Sequence, residues 1–170
     1  DHTTGSATYI YFESTQSSSP PISQLITPCI DLTSLTGCAA LEFYYHKFGG
    51  TMGNMRVDID TSKGTDVNKW WGGYFLVPGQ THSSPTDPWT KAFVDLTPFV
   101  GEIIRIRFVG VRGGANGDMA LDDLRIFEPD PVEMEMVSFD APLNGFCSYS
   151  STEDVIINVK NAGCQAISNI

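Results

Sequence analysis

Hydrophobic and polar positions alternate with a period of two along most of this chain. In the run 40–48, Leu41, Phe43 and Tyr45 fall on one side. In 54–61, Met55, Val57 and Ile59 share one face, and Asn54, Arg56, Asp58 and Asp60 share the other. In 103–111, Ile104, Ile106 and Phe108 oppose Arg105 and Arg107. Successive strand residues point to opposite faces, so this pattern predicts strands with one buried side. The β-branched and aromatic runs 8–13, 70–77, 90–96 and 119–127 predict further strands, and 22–32 reads as extended. Turns fall at 33–37, at Gly49-Gly50 and at 63–66, with a long loop over 79–88. No segment carries an apolar period of 3.6. The expected fold is all-β, with about eight short strands arranged as a jelly-roll β-sandwich.

Glu128-Pro129-Asp130-Pro131 interrupts the pattern. Two prolines in four residues stop a strand and stiffen the join. The expected organisation is therefore a sandwich over 1–127, a proline-rich linker over 128–131, and a second β domain beginning at 132. Within 132–170, the runs 132–140 and 154–161 read as strands, too few for a sandwich of seven.

The chain has 170 residues and is 41% hydrophobic, enough to build a core. Twenty acidic residues against ten basic ones give a net charge of −10. That balance argues against nucleic acid and anionic membranes as partners. No apolar run approaches the roughly 18 residues of a spanning helix, so membrane insertion is not expected. No signal peptide is recognisable, and the polar opening without Met reads as that of a mature or excised fragment.

Four cysteines, Cys29, Cys38, Cys147 and Cys164, lack the CxxC spacing of a zinc site. Pairing within each half, Cys29 with Cys38 and Cys147 with Cys164, fits disulfides in an oxidising compartment. Four buried thiols are the alternative.

The stretch Gly113-Gly114-Ala115-Asn116-Gly117-Asp118-Met119-Ala120-Leu121-Asp122-Asp123 brings carboxylates into an apolar strand. Adjacent strand residues face opposite ways, so one of Asp122 and Asp123 is expected to point inward. A buried carboxylate needs an ion pair or a cation. Arg105 or Arg107 would supply the first. Asp1 and Glu13, flanking the first strand, would complete a site for the second, because a hard cation takes six to eight oxygens. Asp118 reads as a turn residue. Asp58, Asp60 and Asp66 read as a solvated acidic face.

Several pieces occur in a familiar order: Asp1-His2-Thr3, Tyr9-Ile10-Tyr11-Phe12-Glu13-Ser14, Phe43-Tyr44-Tyr45-His46-Lys47-Phe48-Gly49, Met52-Gly53, Trp70, Gly79-Gln80, Trp89 and Ala120-Leu121-Asp122-Asp123-Leu124. Over 1–127 the chain resembles a MAM domain. The resemblance implies an extracellular, non-catalytic jelly roll that mediates protein contacts, with a structural calcium or sodium ion. It also implies that Trp70 and Trp89 are core residues. The family's opening Cys-x-Phe-Glu segment is missing, which would place a first strand upstream or on another chain. The family's cysteine after the Asp-Asp strand is missing too, so Cys38 would turn to Cys29. Residues 132–170 resemble an immunoglobulin-like module of secreted bacterial proteins, of the CARDB or fibronectin-like kind.

His2, His46 and His82 are scattered without an HExxH motif, and no Gly-x-Ser-x-Gly elbow occurs. His46 is expected to make a hydrogen bond at the core's edge. Trp71 and Tyr74 are candidates for a sugar-stacking platform. The favoured reading is an interaction module of a larger secreted protein, contacting a protein partner or neighbouring domains, as an accessory domain of a metalloprotease would. The alternative is a carbohydrate-binding jelly roll attached to a polysaccharide-degrading enzyme. A third reading is a processed piece of an enzyme completed by another chain.

Overall fold

The structure, a computed structural model, describes all residues except Ala7, 15–20, 63–68, 80–81, 143–151, Glu153, Ala162 and 168–170. The turn expected at 63–66, including Asp66, and the cysteine Cys147 lie outside the described residues. Two units separate at the Phe127–Glu128 bond.

The first unit, Asp1–Phe127, is a β-sandwich. Its strands are β1 (Ile10–Phe12), β2 (Ile22–Ile26), β3 (Ile30–Asp31), β4 (Ala40–Phe48), β5 (Asn54–Asp60), β6 (Trp70–Val77), β7 (Thr90–Asp95), β8 (Ile103–Val111) and β9 (Asp118–Phe127). One sheet runs β1-β9-β4-β7, and the other runs β2-β8-β5-β6, with β3 also pairing to β8. Every named pair is antiparallel. The long central strands follow the alternation closely. Phe43 and Tyr45 from one sheet meet Val57, Ile59, Ile106 and Phe108 from the other, all at most 2% exposed. Each such side chain contributes about 1.5–3 kcal/mol on burial. A short 3₁₀ turn, Thr97–Phe99, joins β7 to β8 and adds Phe99 to this core. The alternation could not show it, because three residues carry no period.

Lys47 continues the inward series of Leu41, Phe43 and Tyr45 and is fully buried. Its ammonium reaches out of the apolar layer to donate to the Pro78 carbonyl at 2.8 Å.

Both crossovers between the central strands lie against each other. The 49–53 turn links β4 to β5, and the 112–117 turn links β8 to β9. Thr51 N–H donates to the Asn116 carbonyl at 2.9 Å, and Thr51 Oγ1 accepts from Asn116 N–H at 3.0 Å. A Cβ on Gly117 would stand 2.6 Å from the Thr51 carbonyl oxygen, and one on Gly53 would land on the Val111 carbonyl oxygen. The glycine-rich stretch is thus required by close backbone approach.

The second unit, Glu128–Ile170, contains an antiparallel pair, β10 (Met134–Ala141) and β11 (Ile156–Asn161). Gln165 N–H donates to the Pro131 carbonyl at 2.9 Å and Gly163 N–H to Glu133 at 3.2 Å. Met136, Val137, Ile157 and Val159 on this pair are exposed.

Candidate functional site

The Asp-Asp pair sits on β9, but strand alternation fails there. Opposite β4, the register steps from Glu42↔Arg125 to Tyr44↔Asp122, so β9 carries an extra residue. Asp123 occupies this bulge with φ +49°, a left-handed conformation that Asp tolerates better than most residues. Neither carboxylate is buried in the core: Asp122 is half-buried and Asp123 exposed. The expectation that one of them points inward therefore does not hold.

Both are held by the opening residues of the chain. Asp122 Oδ2 accepts from His2 N–H at 2.8 Å, and Asp122 Oδ1 accepts from Asp123 N–H at 2.9 Å. His2 Nδ1 lies 2.7 Å from Asp123 Oδ2, and Thr3 Oγ1 donates to the same oxygen. Thr3 and then His2 hold the Asp123 carboxyl below the usual carboxylate range. The His2 ring stacks on Tyr44, centroids 3.4 Å apart. Asp1 turns back to cap Thr4, accepting from Thr4 N–H at 3.1 Å.

The four proposed metal ligands are not gathered. The β1–β9 register pairs Phe12 with Met119, which sets Glu13 opposite Asp118, four positions from Asp122 and about 13 Å along the strand. Among the described residues no group of three or more His, Cys, Asp or Glu side chains is placed to hold an ion. A hard cation at Asp122 and Asp123 would compete with the His2 and Thr3 donors for the same carboxylate oxygens. Asp118 is more than a turn residue: its Oδ1 accepts from Ser14 N–H at 2.9 Å and Ser14 Oγ at 3.0 Å.

On the outer face of the same sheet lies an aromatic patch. Tyr11 pairs with Ala120, and Ala120 pairs with His46. Trp89 contacts both His46, 5.7 Å between centroids, and Tyr9, 5.4 Å. Tyr9 and Tyr11 are 46% and 58% exposed. His46 stacks on His82 at 3.9 Å, and its buried Nε2 has no hydrogen-bond partner among the described residues. The hydrogen bonding expected of His46 is met by the Asp87 and Ser84 backbone, while Nε2 faces the stacked rings. Burial, and then the neighbouring His82, push the His46 pKa down. Trp89 is thus on the outside of the sandwich rather than in its core.

The other outer face is ionic. Asp58 pairs with Arg107 and Asp60 with Arg105 across β5 and β8. Both carboxylates are fully buried, which overturns the solvated acidic face. Arg107 approaches Asp58 at 2.7 Å, Arg56 approaches it at 3.0 Å, and Gly73 N–H donates to it at 2.6 Å. Arg105 approaches Asp60 at 2.6 Å, and Ser62 N–H donates at 2.7 Å. Burial alone would raise both carboxyls, but these donors outweigh it and hold both low. The Trp70 ring covers Arg107 at 4.3 Å and Arg105 at 5.2 Å. Trp70 is therefore a lid on the arginines, not a core residue. Asp122 makes no use of these arginines, which serve the opposite sheet.

Trp71 is 58% exposed, with its edge on Phe99. Tyr74 is half-buried, donating its hydroxyl to the Asp95 carbonyl at 2.7 Å. The two rings therefore do not form an open platform together. Cys29 carries a free, exposed thiol, so its pairing with Cys38 does not hold; Cys38 and Cys164 are each disulfide-bonded. Cys29 lies on an exposed segment between β2 and β3, a placement that sequence spacing could not reveal.

Residues 1–130 match the family model described as MAM domain, meprin/A5/mu. The chain belongs to the MAM domain family. Neuropilin-1a of Danio rerio is 28% identical over 141 residues, covering 75% of this chain and 13% of that protein. The chain thus spans only a small part of the relative's length. MAM domains are non-catalytic, extracellular adhesion and protein-interaction modules, and the jelly-roll sandwich agrees with that family. Among the described residues no helix is long and apolar enough to cross a membrane.

Proposed function

We propose that this MAM domain is a protein-contact module of a larger secreted protein, binding through the outer face of the β1-β9-β4-β7 sheet. The observation that carries this is the exposed pair Tyr9 and Tyr11, with the half-buried Trp89 against Tyr9, beside the His2–Asp122–Asp123 cluster. Tyr and Trp are enriched at the energetic centres of interfaces, and polar groups at their rim set register. Tyr11 lies on β1, and Tyr9 and Trp89 immediately precede β1 and β7, where Trp89 packs edge-on against Tyr9 and His46. Residues 132–170, an antiparallel pair with exposed apolar side chains, fit an immunoglobulin-like neighbour module. A metalloprotease as the host protein rests on the family resemblance alone.

Beads coated with the chain test the adhesive role. Wild-type beads are expected to cluster with each other or with cells of the source organism, and the Tyr9→Ala/Tyr11→Ala double variant to lose at least about tenfold of that binding. Equal clustering by a folded double variant would remove this face from the account.

Carbohydrate binding is the second reading, favoured by the exposed Trp71 indole. A glycan array on which wild-type chain binds and Trp71→Ala does not would establish it.

A further inference from the structure

Asn116-Gly117 is a dipeptide at which a chain readily modifies itself. The backbone nitrogen after an asparagine can attack that residue's side-chain amide, and a glycine, having no Cβ, leaves its nitrogen least shielded. The structure surrounds this pair with contacts that oppose the attack. Asn116 N–H donates to Thr51 Oγ1 at 3.0 Å, and the Asn116 carbonyl accepts from Thr51 N–H at 2.9 Å. Gly117 N–H donates to Ser14 Oγ at 3.0 Å, and both of these residues are buried. Ser14 is fixed in turn by Asp118 Oδ1, which accepts from its N–H at 2.9 Å and from its hydroxyl at 3.0 Å. The main chain is thus pinned on both sides of the Asn116 α-carbon, while Asn116 itself is exposed.

Ring closure needs the Gly117 nitrogen to swing toward the Asn116 side chain and to give up its proton. Ser14 Oγ engages that proton, and the packing leaves no room for the swing. A Cβ on Gly49 would land on the Asn116 carbonyl oxygen and stand 2.9 Å from Gly117 Cα. The clasp lasts only while Ser14 stays in place. Ser14 follows β1, whose three residues pair to β9. Segments held by so few contacts open at a fraction of the cost of global unfolding.

We propose that Asn116 is a self-modification site governed by Ser14: it keeps its amide while Gly117 N–H is held, and converts to aspartyl and isoaspartyl forms when β1 and Ser14 come away. Water is the one co-reactant. The Gly117 nitrogen loses its proton to solvent and bonds to Asn116 Cγ. The Cγ–Nδ2 bond breaks, and the amide nitrogen takes up a proton and leaves as ammonia. Water then opens the cyclic imide without any transfer of electrons to or from an outside group. Cleavage of the new Cγ–N bond leaves an ordinary aspartate. Cleavage between the Asn116 carbonyl carbon and the Gly117 nitrogen leaves isoaspartate, with the main chain running through the former side chain. That form adds one methylene to the backbone where Gly49 and Thr51 leave no slack, so the turn cannot close again on Thr51. Opening of β1 is thereby recorded irreversibly where the two turns meet. The inference goes beyond the protein-contact role and does not depend on it.

The test incubates the whole chain at mildly alkaline pH and follows Asn116 by peptide mapping with mass detection. Mapping separates it from Asn144-Gly145, which lies outside the described residues. Asn116 is expected to convert at least about tenfold more slowly in the folded chain than in the same chain unfolded in guanidinium. Conversion at the unfolded rate would overturn the inference. Ser14→Ala removes the acceptor for Gly117 N–H, and Thr51→Val removes the acceptor for Asn116 N–H. Each, assayed below its own melting temperature, is expected to speed conversion at least about threefold, the equivalent of one lost hydrogen bond. Thr51→Ser keeps the hydroxyl and should convert at the parent rate. Parent rates in both Ser14→Ala and Thr51→Val would overturn control by these contacts. The purified isoaspartyl chain should melt several degrees below the parent, and Asn116→Asp should melt with it. Equal melting of all three would overturn the irreversible record.

Discussion

Asp58 and Arg107 face each other across β5 and β8, 2.7 Å apart, with the carboxylate wholly out of solvent. Removing one member of a buried pair strands the other, at about 3–5 kcal/mol. Asp58→Asn is therefore expected to lower stability by about 3 kcal/mol in chemical unfolding. The acid limb follows from the same contacts. The folded pKa values of Asp58 and Asp60 lie below the reference 3.8. A depressed carboxyl stabilises above its unfolded pKa, and that contribution is lost as pH falls through the folded value. Stability from this source should hold down to about pH 4 and fall below it. In Asp58→Asn the acid limb should be shallower; an unchanged limb would show that these carboxyls do not drive it.

Lys47 gives the opposite sign. Burial lowers its pKa from 10.5, so the folded state disfavours its charge. The unfolded chain then binds more protons between the folded value and 10.5, and stability rises with pH across that window. Among the described residues its ammonium forms no salt bridge. Lys47→Met is expected to raise stability by about 1 kcal/mol, seen as a melting temperature a few degrees higher. A lower melting temperature would mean that the Pro78 carbonyl contact outweighs the burial of charge.

Gly53→Ala is expected to be among the most damaging single substitutions, because its Cβ meets the Val111 carbonyl and not a yielding side chain. A loss of about 3 kcal/mol or more in denaturant unfolding is expected. Gly50→Ala, with nothing among the described residues within 4 Å of its Cβ, is the matched control and should melt as the parent does.

Peptide mapping without reduction should find Cys29 alkylated and Cys38 and Cys164 protected. Recovery of a Cys29–Cys38 peptide would refute the placement of that thiol.

Calcium and the His2 donors compete for the same oxygens. Melting temperatures in millimolar calcium and in excess chelator are expected to agree within about a degree, since a ligand that does not bind the native state adds nothing. A calcium-dependent rise of several degrees would put a cation where His2 and Thr3 now reach Asp122 and Asp123.

The strands were legible because alternation is a local property. Leu41, Phe43 and Tyr45, and Met55, Val57 and Ile59, declare their buried faces without reference to any neighbour. What the same alternation hid was partnership. It placed Asp58 and Asp60 together opposite the core, and solvent was the natural environment to assign there. The structure shows that the β8 arginines and Trp70 cover that face. Their pairing depends on β5 and β8 being neighbours, which no short window reveals. At Asp122 and Asp123 the rule itself failed. One extra residue in β9 shifted the facing of the pair, and a single left-handed aspartate leaves little trace in sequence. The place of Trp89 outside the core is equally non-local: its ring lies against His46 of β4 and Tyr9 beside β1, partners no short window reveals.

The two turns joined at Thr51 have a mechanical consequence. They tether β4 to β5 and β8 to β9 at the same end of the sandwich, and these four strands are the middle of both sheets. Partial opening of the molecule must begin at the outlying strands and spread toward this spine, as pages lift from a bound edge. The most slowly exchanging amides will therefore cluster around it, and β1, β2, β6 and β7 will fray while the bound quartet still stands.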